Sequence, residues 1–139
     1  MKLSTRSRYG ARMLVDIAAH GDNGPVTVSD ISRRLDLPVK YLEKLVRLLK
    51  KGDYIQSKRG PRGGHMLAKP AEDITMGEIV RQLEGDFCLV DCANHGQEPC
   101  PNMESCPTRM LWARATDAML RELDGITLRE LVDNHMAKA

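Results

Sequence analysis

Two helical segments separated by only three residues constrain the fold of this chain more than any other feature. A helix that begins at Thr27 is expected to end near Asp36, and a second begins at Pro38 and ends at Gly52. The three-residue break between them, Asp36-Leu37-Pro38, is the spacing of a helix-turn-helix. The sequence therefore predicts a helix-turn-helix in the first half of the chain.

The second helix of this pair has two different faces. Its apolar residues recur at helical spacing and are expected to pack inward, namely Leu42, Leu45, Val46 and Leu49. Its basic residues form one ridge along the helix, namely Lys40, Lys44, Arg47 and Lys51. A basic ridge usually faces only solvent, but on the second helix of a helix-turn-helix it predicts contact with the major groove of DNA.

A glycine-rich turn follows between two short extended runs, residues 54–59 and 65–67. Strand, turn and strand predict a β-hairpin with Lys58 at its tip. Turn glycines let backbone N–H groups approach phosphates, and arginines can enter a minor groove. We therefore predict a mainly α-helical winged helix-turn-helix with a small β-wing. The wing residues expected to meet DNA are Arg59, Gly60, Pro61, Arg62, Gly63 and Gly64.

Three threonines, Thr27, Thr75 and Thr127, are each followed three residues later by an acidic residue. This pattern is typical of a helix start, because the hydroxyl accepts a hydrogen bond from a free backbone N–H and the acid can bond back to the cap. It predicts helices that begin at each threonine, the second of them ending at Gly85. Another helix is expected over residues 5–20.

A long helix is predicted from about Pro107 to Asp124. Its apolar side is formed by Met110, Leu111, Ala115, Ala118, Met119 and Leu120. An amphipathic helix outside the compact winged domain needs something to cover it, and a second copy of the chain is the expected cover. A homodimer would also read two DNA half-sites about one helical turn apart.

The charge is distributed unevenly along the chain. Residues 1–70 contain fifteen Lys and Arg against six Asp and Glu, a formal net charge of +9, whereas residues 71–139 carry −7. A basic half joined to an acidic half suggests that only the first meets a polyanion. We therefore expect a DNA-binding domain over residues 1–70, and a cysteine-bearing sensor loop with dimerisation helices over residues 71–139. Double-stranded DNA is the expected partner.

Several other classes of protein are not favoured. No run of about 18 apolar residues exists, so no membrane span is expected, and the N-terminus has no secretory pattern, which favours the cytoplasm. No catalytic triad, paired catalytic carboxylates or phosphate-loop spacing is visible, so we do not expect an enzyme. A module that binds only proteins remains an alternative, against which the basic half argues.

All four cysteines, Cys88, Cys92, Cys100 and Cys106, lie within nineteen residues. Their spacing, C-x3-C-x7-C-x5-C, matches neither paired zinc knuckles nor the ferredoxin pattern. In a cytoplasmic chain such a group points to metal binding or redox chemistry before structural disulfides. Thiolates suit iron–sulfur clusters and zinc alike, so metal ligands, redox thiols and inert thiols all remain open here.

The chain resembles the IscR and NsrR type of iron–sulfur winged-helix regulators over nearly its full length. The resemblance rests on the order and spacing of short matching stretches. These are residues 1–4 with Arg8 and Tyr9, residues 41–45, residues 59–64, residues 77–79 and residues 106–112.

The resemblance implies a homodimeric transcriptional regulator, expected to be a repressor, whose iron–sulfur cluster controls its affinity for DNA. It implies that Cys92, Cys100 and Cys106 are cluster ligands. It also implies that Glu43, next to Tyr41 and Lys44 on the recognition helix, helps to choose among DNA sites, and that Arg59 enters the minor groove. Neither a two-iron nor a four-iron cluster is favoured.

Two departures from the family pattern leave the fourth ligand open. IscR has a histidine three residues after the third cysteine, where this chain has Arg109, and NsrR uses an N-terminal aspartate at the position of Arg8. Cys88 and His95 are the candidates, although Cys88 beside apolar residues is more often a small apolar side chain. The alternative is a winged-helix regulator without a cluster, controlled by thiol oxidation or by a protein partner.

Overall fold

The computed structural model describes residues 3–93 and 100–138. Within them lie six α-helices and a two-stranded antiparallel sheet, and every predicted helix and strand is present to within two residues. The helices are α1 (Thr5–His20), α2 (Val28–Leu35), α3 (Val39–Lys51), α4 (Met76–Glu84), α5 (Arg109–Asp124) and α6 (Leu128–Ala137). The strands are β1 (Ile55–Lys58) and β2 (Gly64–Leu67).

Each of the three predicted threonine caps is confirmed. The hydroxyls of Thr27, Thr75 and Thr127 accept hydrogen bonds from the backbone N–H three residues later. At Thr75 and Thr127 the following glutamate accepts the backbone N–H of the cap, at 2.9 and 2.8 Å, which completes a capping box. At Thr27 the shorter Asp30 accepts from the threonine hydroxyl instead, at 3.0 Å.

Helix α1 lies at the centre of the hydrophobic core. Its side chains Met13, Leu14 and Ile17 are fully buried. They belong to one cluster with residues of α2 and α3 and with residues of α4 and α6, among them Ile79 and Leu128. The core therefore draws on both halves of the chain, and the domain boundary at residue 70 stays a prediction.

A partly buried ion pair fixes α2, the first helix of the helix-turn-helix, against α1. Arg34 donates two hydrogen bonds, each of 2.8 Å, to the two oxygens of the buried Asp16 carboxylate. The hydrogen bond to Asp16 raises the pKa of Arg34, so the guanidinium stays charged. Because α3 follows α2 after a tight turn, this pair also orients α3 relative to the core.

The turn between α2 and α3 is held by two hydrogen bonds. Ser32 donates from its hydroxyl to the carbonyl of Leu37 at 2.6 Å, and the Leu37 N–H donates back to the carbonyl of Ser32 at 3.3 Å. Asp36 takes the left-handed conformation that ends α2. These contacts confirm the predicted helix-turn-helix.

The β-hairpin packs against the segment that precedes α2. Val26 and His65 exchange backbone hydrogen bonds of 2.8 and 2.7 Å, which form an isolated antiparallel bridge beside β2. Gly64 has a φ of +151° and lies so close that a Cβ atom there would be 2.6 Å from the Val26 carbonyl oxygen. Glycine at this position is therefore required by packing.

None of the helices in residues 3–93 and 100–138 has the length and apolarity that crossing a membrane would require.

Candidate nucleic-acid interface and cysteine segment

Helix α3 presents the two faces that the sequence predicted. Leu42, Leu45, Val46 and Leu49 are buried, whereas the basic ridge is exposed along its length, at Lys40, Lys44, Arg47 and Lys51. Glu43 is exposed beside this ridge. The exposed face of α3 therefore combines several cations with a single carboxylate, a set that can contact both phosphates and base edges.

Tyr41 differs from its neighbours on α3. It is half-buried, and its ring packs edge-on against the ring of Tyr9 in α1, with centroids 6.0 Å apart. Its hydroxyl is buried and has no hydrogen-bond partner among the described residues. The ring thus stabilises the seating of α3 on α1, and a contact between Tyr41 and DNA stays a prediction.

The tip of the wing is exposed and basic. Lys58, Arg59, Gly60, Pro61 and Arg62 are all exposed. Gly63 and Gly64 are half-buried, and a Cβ at Gly63 would collide with the carbonyl oxygen of Lys58. These two glycines thus shape the hairpin, in agreement with the glycine-rich turn that the sequence predicted.

A hydrogen bond across the two strands stiffens the wing. Ser57 and His65 are paired in the register of the sheet, and their side chains meet through Oγ and Nδ1 at 2.8 Å. Burial and the nearby charge of Lys50 lower the pKa of His65, so its ring is neutral at neutral pH. The positive charge of the wing therefore comes from its lysine and arginines.

The stretch of chain between α4 and α5 carries the four cysteines and is called the cysteine segment below. It is anchored to α5 by Thr116. This threonine is 5% exposed. Its Oγ1 accepts the backbone N–H of Leu89 at 3.1 Å, donates to the carbonyl of Trp112 at 2.8 Å, and lies 3.5 Å from the Cys88 sulfur. Sequence reasoning missed Thr116, for which the only available signal was a hydroxyl next to the apolar side of α5.

Four free thiols lie along this segment. Cys92 is exposed, whereas Cys88, Cys100 and Cys106 are half-buried. The Thr108 hydroxyl lies 3.5 Å from the Cys106 sulfur, and together with backbone N–H groups at the start of α5 it lowers the pKa of that thiol. Cys106 therefore reaches the thiolate form, which binds metals and attacks electrophiles, at a lower pH than an ordinary thiol.

The fit of these thiols to a metal centre is mixed. In residues 3–93 and 100–138, no three Cys, His, Asp or Glu side chains come together in a group that could hold a metal ion. His95 lies outside the described residues, as does most of the chain between Cys92 and Cys100. The donor chemistry of free thiols, one of them with a lowered pKa, nevertheless suits iron–sulfur ligation.

Helix α5 carries an uncovered apolar surface. Met110 is 68% exposed and Leu111 is 53% exposed, with Trp112 beside them. Thr116 is the one residue of α5 that is buried. The predicted long helix is confirmed, and the part of the chain that the structure describes leaves these three apolar side chains uncovered.

A family model for iron-dependent transcriptional regulators, Rrf2, matches residues 3–134. The chain belongs to the Rrf2 family. This membership confirms the resemblance found in the sequence. The members of the family are transcriptional regulators and not enzymes, so the prediction that this chain is not an enzyme is also confirmed.

Relatives of this Rrf2-family chain are similar to it in sequence over most of its length. It is 49% identical over 132 residues to Protein rrf2 of Nitratidesulfovibrio vulgaris Hildenborough, covering 95% of this chain and 87% of that protein. The structure of T. potens IscR has a TM-score of 0.78 at 31% identity, covering 97% of this chain and 88% of that one.

A second solved structure is equally similar. CymR, the global cysteine regulator of B. subtilis, has a TM-score of 0.79 at 34% identity, covering 96% of this chain and 98% of that one. Together with IscR it confirms the winged-helix fold class. The two neighbours bear different names, and family membership alone leaves the mode of control open.

Proposed function

We propose that this Rrf2-family regulator binds double-stranded DNA as a homodimer and acts as a repressor. The observation that carries the proposal is the exposed basic ridge of α3 beside the exposed, basic wing tip. A helix with this charge, placed second in a helix-turn-helix, fits a major groove, and the wing then reaches the flanking minor groove. A regulator that acts on the chromosome would work in the cytoplasm.

Within this interface the residues have different roles. Phosphates or base edges are bound by four basic side chains, Lys40, Lys44, Arg47 and Arg62. The lysines act as point charges, and the arginines can donate two hydrogen bonds to one acceptor group. Glu43 selects among DNA sites by accepting from exocyclic amino groups, and Arg59 enters the minor groove, as the resemblance to IscR implies. Gly60 and Pro61 bring the wing backbone close to the DNA.

The dimer forms through α5. Met110 and Leu111 are the most exposed of the large apolar side chains on α5, and a two-fold axis lets the same patch cover itself. Two copies of α3 then enter successive major grooves of a palindromic site.

Control by an iron–sulfur cluster is the second part of the proposal. Cys92, Cys100 and Cys106 would hold the cluster, with Cys88 or His95 as candidate fourth ligands. The cluster would supply a charge and a geometry that depend on iron, sulfide and redox state. The chain itself would connect the cluster mechanically to two helices. The cysteine segment starts directly after α4, and Thr116 holds it to α5.

The alternative is control of the same DNA-binding head by thiol chemistry without a cluster. The free thiols, the lowered pKa of Cys106 and the similarity to CymR favour it. The colour of the protein distinguishes cluster control from thiol control. Protein purified without oxygen and reconstituted with iron and sulfide turns brown if a cluster binds. A preparation that stays colourless and free of bound iron supports thiol control.

A mobility-shift titration tests the whole proposal. Cluster-loaded and metal-free protein are compared on one duplex chosen by selection from a random library. Binding in the nanomolar range, with clearly different affinities of the two forms, is expected. Equal affinities for every duplex would refute control by the cluster, and no binding to any duplex would refute the DNA-binding function itself.

A further inference from the structure

Val39 is an apolar side chain exposed where the surface is otherwise charged. It is the first residue of α3 and is 40% exposed. The other large apolar side chains that are exposed in the described residues lie on α5 and α6. Leu37 and Tyr41 on either side of it pack against the core, but Val39 does not belong to that cluster.

The position of Val39 on α3 is the one from which base edges are read. In a helix-turn-helix the N-terminal residues of the second helix reach the bases. Val39 lies one helical turn before Glu43, so the two share a face, and Lys40 follows directly. A valine here can neither bind a phosphate nor donate to a base, and its methyl groups can only make apolar contacts.

We propose that Val39 packs against the 5-methyl group of a thymine in each half-site and thereby sets sequence preference. Thymine is the one base that presents a methyl group in the major groove, and small apolar side chains are its usual partners. The inference deepens the DNA-binding function proposed above and rests on it. It assigns to α3 an apolar specificity determinant beside the polar one at Glu43.

The test removes the methyl group from the DNA rather than from the protein. Each thymine of a selected half-site is replaced singly by deoxyuridine, which differs only in lacking that methyl, and affinity is measured by fluorescence anisotropy with the full chain. At one thymine the replacement is expected to weaken binding about fourfold, which is the effect of losing the burial of one apolar carbon.

The variant Val39→Ala completes a double-mutant cycle between the valine and the thymine methyl group. Because the substitution is present in both copies of the dimer, the variant is expected to bind the thymine duplex about as weakly as the wild type binds a duplex with deoxyuridine at that thymine in both half-sites, and to show almost no further loss on that doubly replaced duplex. Met136→Ala is the matched control, since Met136 is 55% exposed on α6, and it should retain the wild-type sensitivity.

The failures of this inference and of the proposed function are distinguishable. Wild-type binding that is insensitive to deoxyuridine at every thymine overturns the inference alone. So does a Val39→Ala variant that stays as sensitive as the wild type at the same thymine. Failure of the wild type to bind any selected duplex overturns both.

Discussion

Glu84, the last residue of α4, accepts two hydrogen bonds from Ser4, at 2.8 Å from its backbone N–H and 2.6 Å from its hydroxyl. Ser7 donates a third, at 2.5 Å, to the same carboxylate oxygen. Helix α4 leads into the cysteine segment and α1 is the central helix of the DNA-binding head. This carboxylate therefore joins the start of the segment to the head.

Replacing Glu84 by Gln should destabilise the fold in a pH-dependent way. Burial raises the pKa of Glu84, but the bonds from Ser4 and Ser7 outweigh it and leave the pKa below its usual 4.5. A carboxylate with a depressed pKa stabilises the folded state above the unfolded pKa, and that stability is lost as the pH falls through the folded value. We expect a loss of about 1–2 kcal/mol for Glu84→Gln at neutral pH, measured by urea denaturation.

The control for this prediction is Glu122→Gln on the exposed side of α5, which should change stability little at any pH. The difference between wild type and Glu84→Gln should shrink in acid below the usual pKa. A difference that stays constant from neutral to acid pH would contradict an ionised acceptor at this position.

Replacing Lys44 by Ala should weaken DNA binding and reduce its dependence on salt. Each phosphate contact releases counterions, so loss of one contact lowers the slope of log affinity against log salt by about 0.9 for each copy of the chain. Titrations at several salt concentrations give the slope. Lys138→Ala, at an exposed lysine directly after α6, should leave it unchanged. An unaltered slope in Lys44→Ala would show that this lysine does not meet a phosphate.

Replacing Leu111 by Lys should dissociate the dimer. Leu111 is exposed in the single chain, and burial of one leucine from each copy contributes about 3–6 kcal/mol in total, so the dissociation constant should rise about 100-fold or more. Sedimentation velocity over a range of concentrations measures it. Met136→Lys introduces the same charge on α6 and serves as the control. A Leu111→Lys variant that stays as dimeric as that control would place the interface elsewhere.

Single serine substitutions should separate ligands from the other thiols. Cys92→Ser, Cys100→Ser and Cys106→Ser are each expected to lose most of the iron bound after anaerobic reconstitution, because serine is a poor substitute for thiolate. Cys88→Ser is expected to retain the iron, since Cys88 lies against Thr116. Loss of iron from Cys88→Ser to the same extent would make Cys88 the fourth ligand.

Most of the secondary structure could be predicted because its signals are local. A threonine cap acts over three residues, as at Thr75, and the apolar spacing of α3 fixes which face is buried. The exposed basic ridge followed from the same spacing. The candidate DNA-binding surface was therefore largely predictable, except that Tyr41 packs against Tyr9 in α1.

The sequence by itself determined the winged helix-turn-helix, the basic ridge of α3 and the amphipathic α5. The tertiary structure alone decided the contacts between Asp16 and Arg34, between Ser4 and Glu84, and between Leu89 and Thr116. These pairs are 18, 80 and 27 residues apart in the chain. No local pattern encodes such a pair, because each polar group finds its partner only after the core has brought distant helices together.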